Sequence, residues 1–248
     1  MSFREALIFS LAVYVGVNTV SALSAWDRVF SLEPPEKPMH RVSVIVPAWH
    51  ESDHLLYASL SSLRSQTVAQ AYPDFFDFVF VGCDGVNLSI PRRLGFRVLC
   101  ASKGKLRARH LGIEASEGEI IVASDADSFY PPNWLNLILR PFYQPDVVAV
   151  STPTWFGALE PFVQVPKNLH YSKRLSGRAS AFLKKAYYLS GGFNLSADDV
   201  YEKTRDTKVL VEEEELRFFD RLRRFGKIVF VNAPVIHLGH KTGRGLYA

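Results

Sequence analysis

The sequence has few cysteines and a nearly balanced charge. Only two of its 248 residues are cysteines, which excludes a disulfide-rich scaffold and favours a reducing compartment. Hydrophobic residues make up 48% and aromatic residues 13% of the chain, too much for an intrinsically disordered protein. The net charge of +4 by itself indicates no nucleic-acid partner. These absences leave one α/β domain, or a smaller domain with an appendage.

Charge is also absent near the start of the chain. Residues 6–26 are 21 consecutive uncharged positions, which as a helix would span about the ~30 Å hydrocarbon core of a bilayer. We therefore expect a hydrophobic transmembrane anchor helix in residues 1–30, a Pro-rich linker over 31–40 and the main domain over 41–248. A cleaved signal peptide and a helix packed on the protein are the alternatives. Positive charges after the segment favour a membrane-anchored chain whose domain is cytoplasmic.

The rest of the chain alternates strand and helix patterns, without internal repeats. Runs rich in β-branched and aromatic residues predict strands at 42–46, 76–82, 96–100, 119–123 and 147–150. Apolar residues at helical spacing predict helices over 53–65 and 105–116 and one opening at 131–133. This alternation predicts a doubly wound, Rossmann-like and mostly parallel sheet flanked by helices. Its ligand crevice is expected at the carboxyl ends of the strands.

Acidic residues follow three of these strands, at the edge where the crevice is expected: Glu51, Asp84, Asp125 and Asp127. Two carboxylates one residue apart need a neutralising partner if they are buried. A divalent cation with diphosphate oxygens would be that partner for Asp125 and Asp127. Asp84 and Glu51 are candidates for binding the polar groups of a nucleoside. A solvated turn or a helix start is the structural alternative for each.

Three charged stretches extend this pattern. Lys105 and Arg109 lie in a basic run at the start of a predicted helix, where an anionic phosphate is also favoured, although a solvated helix face is the alternative. Residues 212–215 are four glutamates, which can complement a helix dipole or supply a general base. The basic, aromatic segment 167–185 suits anionic lipid headgroups or a lipid-phosphate acceptor. No recognition motif supports nucleic acid.

Taken in order, these motifs resemble the family 2 inverting glycosyltransferases, which have the GT-A fold. The resemblance covers about residues 42–237. It rests on VSVIVPAWHE, CDG, KGKLRARHLGIEASEGEIIVASDAD and GRASAFLKKAYYLSGGF. His50 stands where the family usually has Asn, and the Ser that usually follows CDG is missing.

The resemblance implies a metal-dependent enzyme that moves a sugar, with inversion, from a nucleotide-diphosphate sugar to an acceptor hydroxyl on a glycan, lipid or protein. It assigns the nucleotide sugar to Pro47, Glu51, Asp84, Lys105, Arg109 and Asp125. It assigns the acceptor to Gly191, Gly192 and Phe193, and Mg²⁺ or Mn²⁺ to Asp125, Asp127 and His237.

The same resemblance implies an acidic catalytic pair within the glutamate run. Counting back from Arg221 and Gly226 gives Glu214 and Glu215, with Glu215 as the base. Counting from Leu216 gives residues 212 and 213 instead, so the base stays open at this point. His237 is equally well explained as a structural histidine.

Two other classes of protein remain as alternatives to a glycosyltransferase. A nucleotidyltransferase would share the parallel sheet and acidic metal site, but it would normally have a Gly-rich phosphate loop after the first strand, and PAWHES contains no glycine. A non-catalytic, membrane-tethered scaffold of the same fold is the other, because a fold by itself does not establish an activity.

Overall fold

The computed structural model describes residues 3–31, 34–82, 85–101, 103–155, 179–199 and 208–238. Its strands are β1 (Val42–Pro47), β2 (Phe76–Val81), β3 (Arg97–Leu99), β4 (Ile120–Ala123), β5 (Ser128–Phe129), β6 (Val147–Ser151), β7 (Thr154–Trp155), β8 (Ser180–Leu183), β9 (Lys227–Phe230) and β10 (Val235–His237). Its main helices are α1 (Phe3–Phe30), α2 (Asp53–Arg64), α3 (Thr67–Ala71), α4 (Ser89–Arg93), α5 (Lys105–Ala115), α6 (Trp134–Leu139), α7 (Lys184–Leu189) and α8 (Lys208–Leu222). Two 3₁₀ turns, Pro73–Phe75 and Arg140–Tyr143, complete the set.

Seven strands form one sheet in the spatial order β3-β2-β1-β4-β8-β6-β9. Strands β3, β2, β1 and β4 run parallel, as do β6 and β9, whereas β8 is antiparallel to both of its neighbours. Strands β5, β10 and β7 form a separate sheet. The predicted α/β class and all five predicted strands are confirmed. The antiparallel β8, the edge strand β9 and the second sheet were not predicted.

Helices cover both faces of the large sheet because its central strands are apolar on both sides. Val44 of β1 packs in one buried cluster with Leu60 of α2. The next residue, Ile45, packs in a second cluster with Leu106 of α5 and Phe218 of α8. Successive side chains of a strand point to opposite faces, so α2 lies on one face while α5 and α8 lie on the other. The loops after β1 and β4 leave the sheet between these layers.

The apolar N-terminal segment forms α1, and the C-terminal part of this helix packs on the domain. Ala25 and Val29 are fully buried, and the Trp26 ring stacks on Trp155 with centroids 6.1 Å apart. The backbone N–H of Asn133 donates to the Val29 carbonyl at 2.9 Å. The end of the segment is therefore a helix packed against the protein.

The predicted membrane span is not found. Within the described part of the chain, no helix is long and apolar enough to cross a membrane. The physical reason is the polar second half of α1, where Asn18 is fully buried and donates to the Tyr14 carbonyl at 2.7 Å. Ser21 in the same half accepts a hydrogen bond from Asn232 at 3.3 Å.

The Pro-rich stretch before β1 also contacts the domain in its described part. The Lys37 carbonyl accepts from the Tyr143 hydroxyl at 2.8 Å, and Glu36 pairs with Arg140 at 3.3 Å. The division into residues 1–30, 31–40 and 41–248 stays a prediction.

Cys100, just after β3, is disulfide-bonded. This differs from the reduced cysteines expected from the sequence.

Candidate functional site

Four charged side chains meet at the carboxyl end of β4. Arg109 of α5, whose side chain is 1% exposed, donates through Nη2 to Asp125 Oδ1 at 2.7 Å and through Nη1 to Glu215 Oε1. Lys105, one turn earlier on α5, lies 3.1 Å from Asp125 Oδ2 and 3.7 Å from Glu215 Oε1. Two positive and two negative charges therefore compensate one another where an unpaired charge would be costly.

These carboxylates keep the buried guanidinium charged. Burial alone would lower the pKa of Arg109, but Glu215 and Asp125 outweigh this effect and raise the pKa above its usual value. Both cations contact Oε1 of Glu215.

The turn that carries Asp125 is fixed through its backbone. The fully buried Tyr130 hydroxyl accepts from the Asp125 N–H at 2.8 Å and donates to the Asp125 carbonyl at 3.0 Å. The Ser59 hydroxyl of α2 donates to the same carbonyl at 3.1 Å. Burial and the adjacent Asp125 raise the pKa of Tyr130, so the hydroxyl keeps its proton and can act as this donor.

Glu214 has a different environment from its neighbour Glu215. Its Oε1 accepts from the Asn194 N–H and from Arg221 Nη2, each at 2.8 Å. The same Arg221 nitrogen donates to the Gly192 carbonyl at 2.6 Å. Glu214 therefore holds the segment predicted to bind the acceptor. Gly191 and Gly192 have positive φ values of 84° and 64°, a conformation that other residues rarely adopt.

Asp127 and His237 lie together on the other side of the turn. His237 Nδ1 of β10 is 3.5 Å from Asp127 Oδ1, and both side chains are largely buried. The pairing of β10 with β5 places His237 opposite Ser128, the residue after Asp127. The Leu238 N–H also donates to the Asp127 carbonyl at 2.8 Å.

The loop after β1 presents an aromatic ring and a carboxylate. The Trp49 side chain is 41% exposed, with Lys103 Nζ 5.6 Å from its ring centroid. The Glu51 carboxylate accepts from the Trp49 backbone N–H. Burial, and more weakly the nearby Asp127 and Asp125, raise the pKa of Glu51 to about 7.

Three residues that were predicted to bind the donor or the acceptor have buried side chains in the structure. Arg109 was predicted to bind phosphate, but it is buried with both terminal nitrogens engaged. Of the two cations in this cluster, Lys105 is the more exposed, with one-third of its side chain accessible. Phe193 was predicted to bind the acceptor, but its ring is buried against Phe218 at 4.6 Å. Pro47 is buried at the end of β1, so its side chain offers little surface to a nucleotide.

Some predicted features lie outside the described residues. These are Asp84, most of the basic segment 167–185, and the side chain of Glu212. Glu213 is described, and it is half-exposed and pairs with Arg217 on the helix surface at 3.6 Å. Of the described glutamates in the run, Glu215 is the one that reaches the charged cluster.

The donor set fits a divalent cation that arrives with a nucleotide. In the part of the chain that the structure describes, no three His, Cys, Asp or Glu side chains are grouped as a metal site. Asp127 and His237 are the two side chains that would hold such a cation, because Lys105 and Arg109 occupy both oxygens of Asp125. Mg²⁺ and Mn²⁺ are commonly held by one or two protein carboxylates together with substrate phosphates, and such a site needs no third protein ligand.

The family model described as glycosyl transferase family 2 matches residues 91–205, which include α5, the Asp125 turn and the two glycines. This segment of the chain is therefore similar to glycosyltransferase family 2, and the match covers just under half of the chain. No curated protein sequence matches the chain.

Solved structures show the same fold. One is the mannosyltransferase PcManGT from Pyrobaculum calidifontis in complex with GDP-Man and Mn²⁺, with a TM-score of 0.62 and 21% identity, over 96% of this chain and 70% of that one. Another is GalNAc-T7 with UDP, GalNAc and Mn²⁺, with a TM-score of 0.62 and 12% identity, over 84% of this chain and 46% of that one. These likenesses establish the GT-A fold of the glycosyltransferase.

Three residues that support the site were not predicted from the sequence. Tyr130 and Ser59 act through backbone contacts that no spacing rule indicates. Arg221 had a usable signal, because it follows Glu214 by two helical turns and so shares its face of α8.

Proposed function

We propose that this glycosyltransferase moves a sugar from a nucleoside-diphosphate sugar to an acceptor hydroxyl, with inversion and with a divalent cation. The observation that carries the proposal is the shared contact of Glu215 and Asp125 with Arg109, next to Lys105 and the Asp127–His237 pair. This arrangement combines a fixed carboxylate, a cation that can face phosphate and a pair of metal ligands at one edge of the sheet.

We assign the donor end of the site to five side chains. The exposed Trp49 ring would stack on the base, and Glu51 would accept from nucleoside hydroxyls. Asp127 and His237 would hold Mg²⁺ or Mn²⁺, which when bound neutralises the diphosphate and assists its departure. Lys105, which is one-third exposed, would add a second positive charge to the leaving group.

We assign the base to Glu215. Arg109 and Lys105 hold its Oε1, so Oε2 would take the proton from the acceptor hydroxyl as that oxygen attacks the sugar carbon. Direct attack from the face opposite the leaving diphosphate inverts the configuration at that carbon. Asp125 is proposed to keep Arg109 in place, instead of binding the metal itself.

The membrane association implied by the sequence is retained as a proposal with a different geometry. Several apolar side chains of α1 face outward, among them Val20 at 69% and Leu23 at 64% exposure. We propose that this face rests on a lipid surface. Co-sedimentation with anionic vesicles tests it, since Val20→Asp/Leu23→Asp should release the protein, and binding unchanged by the double substitution would contradict the proposal. A cytoplasmic location stays a prediction, although a disulfide at Cys100 is more typical of an oxidising compartment.

A screen of nucleotide sugars with Mn²⁺ tests the main proposal. GDP-mannose, UDP-GalNAc and related donors are incubated with the protein, and released nucleoside diphosphate and pyrophosphate are measured separately. We expect nucleoside diphosphate from at least one donor, lost with EDTA and restored by Mn²⁺. Pyrophosphate release would indicate a nucleotidyltransferase. Binding without turnover across the full set of donors and acceptors would favour a scaffold.

A further inference from the structure

Helix α5 brings Lys105 and Arg109 into the site but has no capping side chain of its own. Its N-cap residue is Gly104, and no acidic residue lies in its first turn. The first N–H groups of a helix have no partners within the helix, so they need acceptors from elsewhere. This need is greatest when, as here, the first turn is partly buried.

Asp198 supplies those acceptors from a distant part of the chain. Its Oδ2 accepts from the Arg107 N–H at 2.8 Å, and its Oδ1 lies 3.4 Å from the Leu106 nitrogen. The Asp198 residue is 1% exposed. Burial raises its pKa, and the two N–H groups oppose that change by stabilising the carboxylate.

The local backbone leaves room for this contact only because residue 104 is glycine. A Cβ atom on Gly104 would lie 2.5 Å from Asp198 Oδ2. The φ value of Gly104, 129°, is also one that residues with a side chain rarely adopt.

Asp198 also belongs to the segment that Glu214 holds. That segment is attached to α8 through Asn194, whose N–H donates to Glu214 at 2.8 Å. The Asp198 N–H in turn donates to the Leu195 carbonyl at 3.2 Å. One short stretch of chain is therefore tied to α8 at one end and to α5 at the other.

We propose that Asp198 is a positioning residue, which caps α5 and so fixes Lys105 and Arg109 against Asp125 and Glu215. The proposal rests on the proposed function, in which Lys105 faces the donor diphosphate. Without the cap the first turn of α5 opens, and Lys105 loses its defined position. The segment after Gly192 would then keep its attachment to α8 and lose its attachment to α5.

Hydrogen exchange and calorimetry test the positioning role of Asp198. Both are measured on the variants Asp198→Ala, Asp198→Asn and Asp199→Ala. Asp199 pairs with Arg107 on the surface of the same turn, so its variant is the matched control. Hydrogen exchange of the Leu106 and Arg107 amides should accelerate in Asp198→Ala. Asn, which keeps one acceptor oxygen, should restore protection of the more closely bonded Arg107 amide and leave the Leu106 amide exchanging faster. Calorimetry with UDP and GDP in Mn²⁺ should show a ~5- to 20-fold weaker Kd for Asp198→Ala. Asp198→Asn and Asp199→Ala should stay near the unmodified protein.

The two measurements separate the possible failures. Unchanged exchange in Asp198→Ala would overturn the cap, and faster exchange with an unchanged nucleotide Kd would overturn its positioning role. If the unmodified protein binds neither nucleotide, the proposed function fails, while exchange still decides the cap. Gly104→Ala is a second variant that displaces the Asp198 carboxylate without removing it, and protected amides in that variant would also contradict the proposal.

Discussion

Glu215 and Asp125, which lie on separate elements, are joined by the single guanidinium of Arg109. The contact connects α8 to the turn after β4 through α5. It brings one carboxylate to each side of a buried cation. The position of the proposed base therefore depends on the position of the acidic turn.

Arg109→Met should destabilise the protein strongly, because it leaves two largely buried carboxylates without their main partner. We expect a loss of about 3–5 kcal/mol in the free energy of unfolding, measured by urea denaturation. Arg217→Met is the control, since Arg217 is exposed and forms its ion pair with the half-exposed Glu213 on the helix surface. A loss of under about 1 kcal/mol for Arg109→Met would contradict the buried cluster.

Tyr130→Phe should loosen the Asp125 turn without changing the core volume. It removes the hydroxyl that bonds both backbone groups of Asp125, so we expect about 1–3 kcal/mol of destabilisation and slower sugar transfer. Tyr143→Phe is the matched control, because its hydroxyl bonds the Lys37 carbonyl at an exposed position. Equal effects of the two substitutions on stability would contradict the role given to Tyr130.

Glu51 should make both stability and nucleotide binding depend on pH. Its pKa of about 7 in the folded protein, against 4.5 ordinarily, means that the folded state binds more protons between these values. Its contribution to stability therefore falls as the pH rises from about 4.5 to 7.

Glu51→Gln should thus raise the free energy of unfolding at pH 8 by roughly 1–3 kcal/mol. At pH 4, where Glu51 is protonated in the folded protein, the substitution should change this free energy little. The Kd for UDP or GDP should tighten from pH 6 to 8 in the unmodified protein, as Glu51 ionises, and should change much less in the variant. Identical pH profiles of binding would contradict the contact with the nucleoside. Thermal denaturation and calorimetry measure the two effects.

Trp49→Ala should weaken nucleotide binding by about 5- to 100-fold, because an exposed indole gives a base a stacking surface. Trp49→Phe should retain most of the affinity. Tyr57→Ala, which removes another exposed aromatic ring, is the control. Equal nucleotide Kd values for Trp49→Ala and the unmodified protein would contradict stacking on this ring.

Five strands of the large sheet were predictable from their runs of β-branched and other apolar residues, with Pro47 ending β1 and Gly82 following β2. Strand β8 was not predicted because SAFL is short and its antiparallel partners are set by long-range contacts. The apolar N-terminal segment was predicted to be a membrane span from its length and lack of charge. Its buried Asn18 and its contacts with Asn133 show that the same pattern also fits a helix packed on a domain.

The residue types of the candidate site were predictable from the sequence, whereas most of the contacts between them were not. The sequence indicates acids at strand ends and a basic helix start, and the structure brings Asp125, Lys105 and Glu215 together. It does not indicate that Arg109 turns inward, since a basic residue on a helix is usually solvated. The cap by Asp198 likewise depends on a fold that brings residues 104 and 198 together.

The central claim is that Glu215 is the base of a sugar-transfer reaction. The most direct test compares Glu215→Gln with Glu213→Gln. Glu213 is the matched control because its carboxylate lies on the surface of the same helix, whereas that of Glu215 is buried. Transfer from the donor found in the screen and the Kd for its nucleoside diphosphate with Mn²⁺ are measured on both. We predict that Glu215→Gln lowers transfer at least ~10³-fold while the Kd changes less than about threefold, and that Glu213→Gln is nearly unaffected. Full transfer by Glu215→Gln, or loss of transfer in Glu213→Gln alone, would contradict this account.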